Sequence, residues 1–101
     1  MMDDGRDALQ QRIVPELEEL WPVVKKLDAV RRHVLIDMAF SMGVKGLLAM
    51  QRFVAAVEFH FWRTAAEEML ISHWANRNKG RATGMAVMML TGRSDQLVLG
   101  Q

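Results

Sequence analysis

The longest apolar tract of the chain, "VLIDMAFSM" from Val34 to Met42, is interrupted by a single acid, Asp37. Beyond it lie Lys45, Gln51 and Arg52, with Gly43 and Gly46 between. A membrane-crossing helix needs about 20 nearly uninterrupted apolar residues, so no span is predicted here. Asp28 stands just before "AVRRHVLIDMAFSM", where a carboxylate can accept from the unpaired N–H groups of a first turn, and Gly43 follows as a helix stop. Between them Val30, Val34, Leu35, Ile36, Met38, Ala39, Phe40 and Met42 cover more than one helical face. That pattern predicts a central buried helix.

The flanking segments repeat the helical period. Leu9, Ile13, Leu17 and Leu20 define a first helix, with Asp3 or Asp4 as its cap. Pro15 removes a backbone donor and crowds the preceding turn, which predicts a kink or a stop and restart; Pro22 predicts a turn or short helix. After Gly46 come the runs "LLAMQRFVAAVEF", "WRTAAEEMLIS" and "SHWANRN". A last helix opens at Lys79 or Gly80 and ends at Gly92, leaving residues 93–101 as a loosely ordered tail. No segment alternates with the period of two that a half-buried strand requires. The predicted fold is all-α: one domain over residues 1–101, a compact multi-helix globule of six or seven short helices around the central one. Nine methionines can fill the gaps of such an irregular core.

Composition narrows the partners. A length of 101 residues suits one domain, and 50% apolar with 25% charged residues is the balance of a globular protein. The net charge of +1 exerts no general pull on nucleic acid or anionic lipid. A helix-turn-helix with Gly43 in its turn would need "LLAMQRFVAAV" to read a groove, and that segment is too apolar; no nucleic-acid partner is expected. The chain has no cysteine, and His33, His60 and His73 are scattered without ligand spacing, so neither a metal nor another cofactor is implied. "MMDDGRDALQQR" opens with acids and lacks an apolar h-region, so no secretory signal is visible and synthesis in the cytoplasm is expected.

The tract "HWANRNKGRATG" places Arg77, Lys79 and Arg81 beside Trp74, at the junction of two helices. Basic side chains at a helix start attract anions, and an aromatic face can stack on a sugar. The plainer reading is a polar turn in which Trp74 anchors the core.

Two stretches, "LDAVRRHVLIDMAFSMGVKG" and "FWRTAAEEMLISHWANRNKGRATGMAVMMLTG", closely resemble the C-terminal lobe of the phage-type (T-even bacteriophage) lysozymes, glycoside hydrolase family twenty-four. The likeness runs without gaps from about Leu20 to Gly92. It includes Met42 with Gly43, Trp62 before Ala65 and Ala66, Ser72 with Trp74, Arg81 with Ala82, and Thr91 with Gly92. The resemblance implies a helical lobe around the helix 29–42. It also implies a catalytic lobe carrying E-x8-D-x5-T, because glycoside cleavage needs a proton donor and an opposed carboxylate or activated water. The one formal E-x8-D match, Glu19 to Asp28, has Val34 where threonine is required, and Asp28 reads as a helix cap. Catalytic residues are therefore expected to be absent from this sequence.

In the family this lobe forms one wall of the substrate cleft and helps hold the peptidoglycan strand with its stem peptides. The resemblance places Asp37, Ser41, His73 and Trp74 on that wall. The family carries amides at the first two positions and an arginine at the third, so only Trp74 keeps the family residue. Arg81 matches the arginine that faces the catalytic glutamate, and a second basic position has become Gly84. Three functions are expected to compete: a non-catalytic peptidoglycan-binding or structural module, a muramidase component working with a separate catalytic chain, and a phage tail or assembly part. Loss of the opposing lobe should uncover an apolar patch, predicting a homo-oligomer or a partner chain. The destination would be the virion, or release at lysis.

Overall fold

The computed structural model describes residues 4–94, and their side chains from Gln11 onward. The cap expected of Asp3 or Asp4 and the tail from residue 95 lie outside that range. Seven α-helices are present among the described residues: α1 (Asp4–Leu20), α2 (Ala29–Met42), α3 (Val44–Leu48), α4 (Gln51–Glu58), α5 (Trp62–Leu70), α6 (His73–Arg77) and α7 (Lys79–Thr91). A 3-10 turn, Pro22–Lys26, joins α1 to α2. No strand occurs among these residues, so the fold is all-α as the periodicity predicts. The Cα radius of gyration, 13.1 Å, equals the roughly 13 Å expected of a self-contained domain of about 100 residues.

Local chemistry sets most helix ends. Asp28 accepts from the Arg31 backbone N–H at 3.0 Å and caps α2. Gly43 ends α2 with φ +82 and ψ 155, a combination open essentially to glycine alone. Ser72 accepts from the Ala75 N–H at 3.2 Å and caps α6, while Gly92, left-handed at φ +71, closes α7. Neither Pro15 nor Gly46 ends a helix. The helix α1 passes through Pro15 without interruption, and Gly46 lies inside α3 rather than before a new helix. Downstream of the proline, Leu17 and Trp21 are buried in the common core, and this packing outweighs the local penalty.

The end of α4 is less usual. Phe61 N–H donates to Ala56 C=O at 2.8 Å and His60 N–H to Val57 C=O at 3.0 Å, a Schellman closure. The left-handed position falls on His60 at φ +60, where glycine is the ordinary choice. Its ring stacks on Trp62, centroids 4.9 Å apart, and the Arg31 guanidinium lies 3.9 Å from the same indole ring. Phe59 and Phe61 project into solvent on either side of His60.

The core joins every helix. Leu17, Leu35, Met38, Leu47, Phe53, Met69 and Met89 are fully buried. α5 packs along α7, and α2 against α1, α3 and α7. In α2, Val34, Leu35, Met38 and Ala39 are enclosed, and Val30, Ile36 and Met42 are partly buried and pack against the same core, so the helix is central as the pattern predicts. Asp37 lies away from the enclosed stripe, its side chain 17% exposed.

Candidate functional site

The five residues placed on the cleft wall divide into two neighbouring groups. Ser41, His73 and Trp74 line one cavity of about 540 Å³, which α2, α3, α4, α5 and α6 enclose. Asp37 and Arg81 stand outside it, joined as an ion pair from α2 to α7. Asp37 lies one helical turn before Ser41, whose hydroxyl donates to the Asp37 carbonyl at 3.3 Å. Arg81, which the resemblance sets opposite a catalytic glutamate, finds a different carboxylate within the chain. Asp37, an acid where the family carries an amide, supplies it.

Trp74 is both core anchor and cavity wall. It is 4% exposed and belongs to the main hydrophobic cluster, yet its indole Nε1 is buried with no hydrogen-bond acceptor. Ser41, which lines the same cavity, turns its hydroxyl back onto its own helix. Ser72 has a second role: besides capping α6, its hydroxyl donates to Met69 C=O at 2.7 Å. Asn78 Nδ2 donates to Trp74 C=O at 2.9 Å, fixing the turn before α7. The position of the indole is therefore held from both ends of α6.

No protein-family model matches the chain. Over 70 residues, 69% of its length, it is 31% identical to the probable T4-type lysozyme 1 of Dictyostelium discoideum, of which it spans 41%. Over 85 residues, 84% of its length, it is 31% identical to the pre-baseplate central spike protein of Enterobacteria phage T4, of which it spans 15%. The chain carries a T4-lysozyme-like domain. It spans less than half of each relative's own length.

Within this lysozyme-like domain the formal acid pair is occupied by structure. Asp28 caps α2 through Oδ2 and receives Arg31 Nη1 on Oδ1 at 3.1 Å. Glu19 is exposed in the last turn of α1, and Val34 is fully buried. The basic cluster read from the sequence also separates: Arg77 lines the cavity, whereas Arg81 is committed to Asp37.

Sequence reasoning missed two cavity residues. Arg52 on α4 and Glu68 on α5 face each other at 3.3 Å, Nε to Oε2, and both line the cavity. Their separation of 16 positions falls across two helices and a turn, so no spacing rule would join them. One signal was present: Glu68 is a half-buried acid on the face of α5 that also carries Ala65 and Met69. Among the described residues no helix is long and apolar enough to cross a membrane.

Proposed function

We propose that this lysozyme-like domain is a non-catalytic module that binds peptidoglycan through the cavity bordered by Ser41, His73 and Trp74. The observation that carries the reading is that Ser41, His73 and Trp74, which the resemblance puts on the family's substrate wall, line one cavity together with the cation Arg77. A guanidinium there suits the carboxylates in which stem peptides are rich.

The lack of catalysis is argued from the acids. No E-x8-D-x5-T pattern occurs in these 101 residues. Arg81, which the resemblance would set opposite a catalytic glutamate, is already paired with Asp37.

A suspension of cell walls tests both parts. The purified chain is expected to leave the turbidity unchanged and to pellet with the insoluble fraction. Clearing of the suspension would refute the non-catalytic part. A second reading, an assembly component, draws on the match to the central spike protein, which covers 84% of the chain. A chain that neither clears nor pellets would favour it.

A further inference from the structure

Of the six large apolar side chains that stand exposed among the described residues, four lie at the two ends of α5. Phe59 and Phe61 precede its first residue, and Leu70 and Ile71 stand at its close, Ile71 the most exposed of the six. Between these ends the exposed side of the helix carries opposite charges one turn apart. Arg63 and Glu67 approach to 3.5 Å, and both side chains are largely in water, so their pairing within the helix is weak. Ala65, Ala66 and Met69 are the buried residues of α5, which packs on α4 and α7 with its inner side. The outer side is thus apolar at each end and charged in the middle, with the signs reversed about its centre.

Such a surface complements itself. With two copies of α5 antiparallel about a two-fold axis, Arg63 of one copy falls opposite Glu67 of the other, and the reverse. The same register sets the Phe59 and Phe61 end of each copy against the Leu70 and Ile71 end of the other, because the Arg63–Glu67 and Phe59–Ile71 pairs share a midpoint at Ala65. A parallel alignment in register would set like charges together. We propose that two copies of this chain pair through α5 in this antiparallel, two-fold arrangement. Apolar burial at the two ends drives the association, and the crossed ion pairs fix its register. The face spans only the nine residues of α5 and its flanks, so the dimer is weak and reversible. Ile71 also borders the cavity, but Ser41, His73 and Trp74 take no part, and the pairing stands independently of wall binding.

Sedimentation velocity of the whole chain over a range of concentrations tests the pairing, with circular dichroism to check that each variant is folded. Arg63→Glu and Glu67→Arg should each weaken dimerisation about tenfold, since each turns two attractions into two repulsions. An equimolar mixture of these two variants should dimerise about as well as the unaltered chain. The double exchange Arg63→Glu, Glu67→Arg should do the same, because it keeps the net charge and the complementarity. The pair Leu70→Ser, Ile71→Ser should weaken dimerisation without touching the aromatic end. An unaltered chain that stays monomeric at every concentration overturns the proposal. So does a mixture or a double exchange no better than either single variant, which would reduce the charge effect to general repulsion. Association that Leu70→Ser, Ile71→Ser leaves unchanged also overturns it, because the aromatic end would then have another partner than the far end of α5.

Discussion

Asp37 on α2 holds Arg81 on α7, an ion pair between residues 44 positions apart. The lone acid of the apolar tract, 17% exposed, is thus held by a half-exposed arginine away from the enclosed stripe of α2. With Arg81 half exposed, solvent screens the attraction, and Asp37→Asn should cost under about 1 kcal/mol in urea unfolding. A loss of several kcal/mol would mean that the pair is a buried network instead.

Arg31 ties three elements together. Its Nε donates to Met89 C=O at 2.6 Å, one terminal nitrogen to Leu90 C=O at 2.9 Å, and the other to the Asp28 carboxylate, while Trp62 lies beneath the guanidinium. The cation thereby satisfies carbonyls at the end of α7 and meets the negative end of its dipole. Arg31→Met should destabilise the domain by about 2–3 kcal/mol in denaturant titration. Arg31→Lys should restore only part, because an ammonium lacks the planar fork. A loss within about 0.5 kcal/mol, typical of surface sites, would contradict this role.

Gly43 joins α2 to α3 in a backbone region that side chains avoid. Space is not the obstacle, since an added Cβ would meet nothing within 4 Å. Gly43→Ala is therefore expected to cost about 1–3 kcal/mol from the backbone alone, read as a lower urea midpoint with unchanged slope.

Phe59 and Phe61, 69% and 60% exposed, stack with ring centroids 5.9 Å apart beside the strained His60 turn. Exposed aromatics on this scale favour association. Sedimentation velocity should show concentration-dependent self-association that the double change Phe59→Ser, Phe61→Ser suppresses. Stability should shift by no more than about 0.5 kcal/mol per site, since neither ring is part of the core. Identical sedimentation of both proteins at all concentrations would assign the loop no part in assembly.

Legibility in the sequence followed the range of the interaction. The roles of Asp28, Gly43 and Gly92 could be read because a cap or a left-handed stop depends on the neighbouring few residues. The stop and restart that Pro15 offered as an alternative to a kink does not occur, because Leu17 and Trp21 beyond it are buried in the core. The resemblance placed Asp37, Ser41, His73 and Trp74 on one wall; the last three line one cavity, and Asp37 stands outside it. What stayed hidden was long-range: Arg81 with Asp37, Arg52 with Glu68, and the missing acceptor for the Trp74 indole. Each depends on how helices distant in sequence are set side by side.

Co-sedimentation with insoluble peptidoglycan, comparing the unaltered chain with Trp74→Phe, tests the central claim most directly. The variant keeps the aromatic packing of the core and removes only the indole donor and part of the ring. The account predicts that the unaltered chain pellets in a saturable manner and that Trp74→Phe, which removes part of the cavity wall, pellets several-fold less. Equal recovery of both proteins in the pellet, or of both in the supernatant, would contradict it.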